Sequence, residues 1–232
     1  MTAPLFFSRA RLRNDAPIAA LAPILLPPDH DQRLAVAHRL LWTLFSDGPD
    51  RRRDFLWRDE GSGKSVREGF FYILSTRAPS DAHGLFNLET KPFAPILAEG
   101  DRLGFTLRAN AVVTRKDVAG RPQRHDVVMD RLHKLQSGAR AAERRSAIGE
   151  AGCGWLDGQA HRQGFHVEKG LSVDGYHTVE IERPGHRPVS FSTLDFSGVI
   201  TIVRPHLFVV AIGQGFGKAK SFGCGLMLIR RV

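Results

Sequence analysis

The sequence predicts an α+β protein built from two tandem ferredoxin-like (RRM-like) domains, each with the element order βαββαβ. Short apolar runs with strand or helix spacing alternate along the chain, and their order repeats approximately in its two halves. A turn signal, Glu99-Gly100-Asp101, separates the halves. We therefore expect an N-terminal domain at residues 1–99 and a C-terminal domain at residues 100–232.

The first half is expected to contain one well-marked helix. Asp29 or Asp31 can cap it, because a short acidic side chain accepts backbone N–H groups at a helix start. Leu34, Leu40 and Leu41 contribute to its apolar face, and Gly48-Pro49 ends it. The other expected elements are a strand at 5–12, a loop at 14–28, strands at 55–58 and 70–76 joined by a turn at 61–63, a short helix at 82–88 and an edge strand at 91–97.

The second half begins with a strand in which Leu103, Phe105 and Leu107 alternate with other residues. Asp174-Gly175 is a hairpin turn signal between two apolar runs. Pro205 suits the first turn of a helix. The remaining expected elements are a helix at 139–163, the hairpin strands at 165–172 and 176–182, a strand or strand pair at 191–203, a helix at 207–212 and a strand at 226–230.

Charge favours an acidic polymer as partner. The 232 residues include 33 Lys and Arg against 24 Asp and Glu, which gives a net charge of +9. Such an excess suits nucleic acid or a membrane surface, and nucleic acid is favoured. We find no apolar run near the roughly 20 residues that span a bilayer, and no signal peptide at residues 1–8. We expect a cytoplasmic protein without a membrane partner.

Cysteine and histidine spacing gives no indication of a metal site or another cofactor. Cys153 and Cys224 form no closely spaced pair, and we expect free thiols. The ten histidines show no spacing typical of a metal cage. Residues 60–65 look like a nucleotide-binding loop, but Arg58 occupies the position of its first glycine. ATP or GTP binding is therefore not expected.

The segment 213–225 carries five glycines and two lysines within thirteen residues. We call it the glycine loop. Glycines allow a backbone to approach a ligand closely, and exposed N–H groups together with lysines can hold phosphate. The alternative is a tight connection between a helix and a strand, with its lysines merely exposed. The candidate phosphate-binding residues are Gly215, Gly217, Lys218, Lys220, Ser221 and Gly223.

Three segments, in this order and spacing, resemble the CasE family, the CRISPR RNA-processing endoribonucleases of subtype I-E Cascade. The first is Leu-Ala-Val-Ala-His-Arg-Leu-Leu-Trp-Thr-Leu-Phe at 34–45, followed by Arg-Asp-Phe-Leu at 53–56. The second is Phe-Thr-Leu-Arg-Ala-Asn at 105–110. The third joins Phe-Ser-Gly-Val-Ile at 196–200 to the glycine loop. The resemblance runs from about residue 5 to residue 229.

The resemblance implies a metal-free endoribonuclease. Such proteins bind the stem-loop of a CRISPR repeat transcript and cut once at the 3′ base of the stem. They then keep the mature crRNA as a subunit beside the other Cascade subunits, and we expect a monomer when the chain is alone. His38 matches the family's catalytic histidine. The alternative is a non-cleaving RNA-binding scaffold of the same fold.

One departure from the family concerns the mechanism. Ala35 stands where members carry a tyrosine, one helical turn before His38. Tyr72 or Tyr176 could substitute in space, or Lys218 or Lys220 could stabilise the extra charge on phosphorus.

Further RNA contacts are expected outside the glycine loop. Arg108 could reach RNA or pair with a carboxylate. The expected hairpin around Asp174-Gly175 carries further basic residues, which could bind the stem base or be a solvated face. These residues are Lys169, His177, Arg183 and Arg187.

Overall fold

Each half of the chain contributes one large antiparallel sheet in the computed structural model, and the C-terminal half adds a separate two-stranded one. The structure describes residues 4–45, 48, 53–61, 69–183 and 185–232. Residues 62 and 63 of the predicted turn and most of the nucleotide-loop look-alike therefore lie outside the described residues, as does the side chain of Arg183. No helix among the described residues is long and apolar enough to cross a bilayer.

The N-terminal sheet has four strands in the order β2-β3-β1-β4. The first strand therefore lies between the third and the fourth, as the split βαβ pattern requires. The second helix of that pattern is absent, because the described residues between β3 and β4 form no helix. The elements are β1 (Phe6–Leu12), α1 (Ala16–Leu25), α2 (His30–Trp42), β2 (Phe55–Asp59), β3 (Phe70–Ser75) and β4 (Phe86–Pro92).

The expected loop at 14–28 was wrong, because α1 occupies most of it. Four of its ten residues are alanine, the best helix former. Pro17 lies in the first turn, where the missing N–H leaves no hydrogen bond unmade. Proline here begins a helix, whereas the sequence prediction took it as a sign of a loop.

The expected helix at 82–88 was also wrong. The Asp81 carboxylate accepts the backbone N–H groups of Leu85 and Phe86, at 3.0 and 2.8 Å, and holds a turn. Gly84 completes this turn at φ +66°. The strand β4 starts directly afterwards and ends at Pro92, so the strand expected at 91–97 comes earlier. It does lie at the sheet edge, as the prolines predicted.

The C-terminal sheet runs in the order β11-β5-β10-β8, and β9 pairs with β10 beside β8. The pair β8 and β9 thus forms one interrupted edge of the sheet, and the half follows βαββαβ with an inserted hairpin. The elements are β5 (Arg102–Ala109), β6 (Val112–Lys116), β7 (Pro122–Asp126), α3 (Val127–His133), α4 (Arg144–Gln163), β8 (Phe165–Val167), β9 (Ser172–Arg183), β10 (His186–Ile202), α5 (Pro205–Gln214) and β11 (Met227–Arg231). The β6–β7 hairpin and α3 were not predicted.

The hairpin expected at Asp174-Gly175 was wrong, because β9 continues through it. The chain reverses instead between Arg183 and His186, which pair in register. Gly175 has φ +61° and lies opposite a register shift between Thr193 and Asp195. A Cβ at Gly175 would come within 2.7 Å of the Asp195 carboxylate, so glycine serves a bulge here.

The two apolar clusters exchange residues between the halves. Leu56 and Leu74 of the N-terminal sheet belong to the cluster of the C-terminal half. Val179 and Ile181 of β9 belong to the cluster around α2. Alternation along the N-terminal strands explains this, since one face packs against α2 and the opposite face against the C-terminal half. The domain boundary at residues 99 and 100 stays a prediction.

Candidate functional site

His38 lies in the third turn of α2, and local sequence signals place it there. Asp29 caps the helix by accepting the N–H of Gln32 at 2.8 Å, as predicted. The side chains of Leu34 and Leu41 are buried on the helix face that packs against the core. His38 is half-buried, and its ring lies 5.9 Å from that of Phe222 in the glycine loop. The structure therefore brings the predicted catalytic histidine against the predicted phosphate loop.

The two ring nitrogens of His38 have different surroundings. Trp42 Nε1, one turn later, donates a hydrogen bond of 3.3 Å to His38 Nε2. His38 Nδ1 is buried and has no hydrogen-bond partner among the described residues. Because Nε2 accepts, the neutral ring carries its hydrogen on Nδ1. The lone pair that can take a proton is therefore on Nε2.

Cationic side chains surround this histidine. Burial lowers the pKa of His38, and the charges of Arg53 and Arg39 lower it further. Burial also lowers the pKa of Lys220, with smaller effects from Arg53 and Lys218. We call Arg39, Arg53, Lys218 and Lys220 the cationic cluster. Repulsion within it would be relieved by a bound anion, so the arrangement suits phosphate.

Arg53 is the most constrained member of the cationic cluster. Burial lowers the pKa of its guanidinium. One of its terminal nitrogens is buried and has no hydrogen-bond partner among the described residues. A buried unpaired donor costs free energy, which an oxygen ligand would recover. Arg53 is not among the site residues predicted from the sequence, although residues 53–56 belong to the first of the three family-like segments.

The glycines of the loop are required by contacts within the protein. Gly215 and Gly217 have φ of +74° and +75°. A Cβ at Gly217 would meet the Asn110 carbonyl oxygen at 2.6 Å, and one at Gly215 would meet Leu56 at 2.7 Å. Gly223, at φ +76°, lies against Trp57. These contacts account for the glycines by themselves, and an RNA contact through them stays a prediction.

Backbone hydrogen bonds hold the glycine loop on β5. The N–H of Lys218 donates to Asn110 at 3.0 Å, and that of Gly225 donates to Arg108 at 2.7 Å. Trp57 Nε1 donates to the carbonyl of Ser221 at 3.2 Å, which fixes the short turn Lys220–Phe222 beside α2. These hydrogen bonds therefore fix the backbone of the loop that carries the two lysines.

The two loop lysines differ in their surroundings. Lys218 is exposed, whereas Lys220 is half-buried and its Nζ donates to the carbonyl of Gln214 at 2.7 Å. Lys220 adjoins the Phe222 turn that touches His38, so it is the better placed of the two to act on the same phosphate.

Arg108 pairs with a carboxylate, one of the two roles considered for it. Its Nε and one terminal nitrogen each donate to Asp195 at 2.8 Å, in a half-buried bidentate pair. The hydrogen bond to Asp195 raises the pKa of Arg108. An RNA contact through Arg108 would have to share or break this pair.

The basic residues of the expected hairpin do not converge. Lys169 is exposed between β8 and β9, while Arg183 ends β9 at the opposite tip. The strand from Ser172 to Arg183 spans roughly 36 Å at about 3.3 Å per residue. Arg187 is exposed near that tip. Lys169 therefore cannot share one RNA site with the other two unless that site is long.

Neither tyrosine is placed to replace the phenol absent at Ala35. The Tyr176 hydroxyl donates to Asp126 at 3.0 Å, and burial raises its pKa to about 12. Tyr72 stacks on Phe7, on the sheet face opposite α2. Ala35 itself lines a groove between α2 and the β9–β10 ribbon, which Arg39 also lines. The cationic cluster is therefore the nearest source of charge stabilisation.

Comparison with known proteins agrees with this geometry. A family described as "CRISPR associated protein" matches residues 5–231. CRISPR system Cascade subunit CasE of Escherichia coli K12 is 27% identical over 214 residues, which cover 89% of this chain and 96% of that protein.

Two solved structures share the fold. Thermus thermophilus Cse3, bound to an RNA representing a pre-cleavage complex, superposes with a TM-score of 0.67 at 21% identity, over 98% of this chain and 99% of that one. Cas6e of Escherichia coli K-12 superposes with a TM-score of 0.63 at 21% identity, over 98% and 100%. With the family matched over nearly its whole length, and with the helix, sheets and glycine loop in the expected places, the chain belongs to the CRISPR-associated proteins and, among them, to the CasE family.

Proposed function

We propose that this protein is a crRNA-processing endoribonuclease that binds the stem-loop of CRISPR repeat RNA and cleaves at the 3′ base of the stem. Attack by the neighbouring 2′-OH leaves a 2′,3′-cyclic phosphate and a 5′-OH. The protein then retains the mature crRNA within Cascade. The observation that carries the proposal is a half-buried histidine, His38, whose ring lies against Phe222 of the glycine loop and beside the cationic cluster.

The reaction has three tasks. A base removes the 2′-OH proton, an acid protonates the leaving 5′-oxygen, and cationic groups stabilise the extra charge on phosphorus. A histidine contributes roughly 10²–10⁴-fold to such proton transfers. The side chains around His38 cover all three tasks, which supports a metal-independent mechanism.

His38 suits the base role because burial and the charges of Arg53 and Arg39 lower its pKa, which favours the neutral, proton-accepting ring. Its Nε2 accepts only the 3.3 Å bond from Trp42, which is long for an N–H donor and therefore readily exchanged for a 2′-OH. Once protonated, the same ring can supply the proton to the 5′-oxygen. Phe222 limits ring movement on the glycine-loop side.

The cationic cluster is assigned the charge stabilisation that a tyrosine at position 35 would otherwise share. Arg53 offers a buried nitrogen that has no hydrogen-bond partner among the described residues, and Lys220 offers a half-buried ammonium. A desolvated donor acts more strongly on a developing charge than an exposed one. We assign Arg53 and Lys220 to the phosphorane, and Lys218, which is more exposed, to a neighbouring backbone phosphate.

The relatives support the substrate and the assembly. Cse3 is described in complex with RNA, and CasE as a subunit of Cascade. The net charge of +9 suits the same kind of partner. Paired stems of RNA are bound mainly through shape and backbone. We therefore expect affinity for the repeat stem-loop that falls with salt.

The test is cleavage of the host's own CRISPR repeat RNA in EDTA under single-turnover conditions. We expect one cut at the 3′ stem base with a cyclic phosphate end, lost in His38→Ala with RNA binding retained. His206→Ala, an exposed histidine on α5, is the matched control and should cleave normally. Tight binding without any cut by the wild type would leave the non-cleaving scaffold in place of the enzyme.

A further inference from the structure

Three metal-ligating side chains meet at the junction of α2 and β9, away from His38. His30 and Asp31 open the helix, and His177 lies on the facing strand. One ligand atom from each residue lies within 4.8 Å of the other two. The ring of His177 meets that of His30 edge-on at 5.7 Å. The three residues, which we call the His–Asp–His triad, join elements distant in sequence.

Asp31 is held in position by one carboxylate oxygen, while the other accepts no hydrogen bond among the described residues. Its Oδ2 accepts the backbone N–H of Glu180 at 2.8 Å. Its Oδ1 is buried, has no hydrogen-bond partner among the described residues, and lies 3.7 Å from His177 Nε2. A carboxylate oriented by a backbone N–H, with its second oxygen aimed at an imidazole, is the arrangement that outer hydrogen bonds give to metal ligands.

The distances are close to those of a bound ion. Ligands about 2.0–2.2 Å from a tetrahedral zinc lie roughly 3.3–3.6 Å apart. The pair Asp31 Oδ1 and His177 Nε2 is already near this separation. The imidazole of His30 is exposed and can turn toward the other two without disturbing the core.

We propose that the His–Asp–His triad binds one divalent transition-metal ion, with Zn²⁺ as the best fit. Two imidazoles and a carboxylate suit zinc and its neighbours, whereas Mg²⁺ and Ca²⁺ prefer oxygen ligands. The exposed position of both histidines leaves the fourth coordination site to water. Arg108, whose charge acts on His30, is paired with Asp195, and this pairing reduces its repulsion of a bound ion.

The ion would clamp α2 to β9. The helix carries His38, and the strand belongs to the ribbon of the other half. The site is thus structural, and it is separate from the proposed RNA cleavage, which needs no metal. Sequence spacing does not reveal this site, because His30 and His177 are brought together only by the fold.

The test is metal binding by the tag-free full chain after removal of metals with EDTA. Co²⁺ should give the visible absorption of a four-coordinate ion at one site per chain, and Zn²⁺ should displace it. We expect His30→Ala, His177→Ala and Asp31→Asn each to weaken binding at least about 10-fold. Asp31→Asn keeps an acceptor for the Glu180 N–H and removes only the free carboxylate oxygen.

Thermal unfolding gives a second readout. With Zn²⁺ at about 100 times the wild-type Kd, Tm of the wild type should rise by roughly 5–10 °C over its value in EDTA. At the same Zn²⁺ concentration, Tm of the triad variants should rise by no more than roughly 3–6 °C. His166→Ala, an exposed histidine on β8, is the control and should behave as the wild type. Wild-type protein without a tight site, or triad variants that bind like the wild type, would overturn the proposal. If one variant fails to fold in EDTA, the other two decide.

Discussion

Replacing Gly217 with alanine tests whether the glycine loop is shaped by the protein or by RNA. Gly217 has φ +75°, and a Cβ there would meet the Asn110 carbonyl oxygen at 2.6 Å. A left-handed backbone costs a non-glycine residue roughly 1–2 kcal/mol, and overpacking adds about 1–3 kcal/mol. We therefore expect the free energy of unfolding to fall by roughly 2–5 kcal/mol.

Gly100→Ala separates the two costs. Gly100 has φ +86° with no atom within 4 Å of a built Cβ, so only the backbone cost applies. In a chain of this length 1 kcal/mol corresponds to about 2–4 °C in Tm. Gly217→Ala should therefore melt roughly 2–12 °C below Gly100→Ala when followed by circular dichroism.

The result that refutes this reasoning is specific. If the two alanine variants melt together, and Gly217→Ala alone loses affinity for the repeat RNA, the glycine is present for the ligand. If Gly217→Ala is the less stable and its folded fraction binds RNA normally, the contact with the Asn110 carbonyl explains the residue.

Three further predictions concern charge and burial. Because the charge of Arg53 lowers the pKa of His38, Arg53→Gln should raise that pKa and move the acidic limb of the cleavage pH profile to higher pH; an unmoved limb would contradict the assignment. Asp195→Asn should remove the bidentate partner of Arg108 and lower the urea midpoint by the equivalent of about 1–2 kcal/mol. The salt dependence of RNA binding should stay unchanged, and a changed salt slope would place Arg108 on RNA instead. Burial raises the pKa of Cys224 to about 12, so this thiol should resist maleimide at pH 8 until urea unfolds the chain, and labelling of the native protein would contradict its placement.

The sequence predicted those parts of the fold that local signals determine. The cap at Asp29 and the helical spacing around His38 gave α2, and proline gave the start of α5. The hairpin at Asp174-Gly175 failed because a turn dipeptide can also serve a bulge. What decides between the two is the Asp195 carboxylate on the neighbouring strand, which the local sequence does not contain.

The sequence predicts two residues of the candidate site, His38 and Lys220, but not the side chains that surround them. His38 and Lys220 came from motifs, and the structure brings their segments together. Arg53 converges on them only in three dimensions, and its lowered pKa depends on burial that no local pattern shows. Two roles were open for Arg108 from the sequence, and the structure shows its ion pair with Asp195, while a contact with RNA stays a prediction.

The exchange of apolar residues between the halves has a consequence for how the protein unfolds. Leu56 and Leu74 complete one apolar cluster, and Val179 and Ile181 complete the other. The apolar core of each half therefore includes residues of the other half. Unfolding of either half would expose apolar side chains of the other half to water. The protein should therefore unfold in a single cooperative transition. If the chain is divided between residues 99 and 100, each fragment alone should aggregate, and the two should fold only when they are mixed.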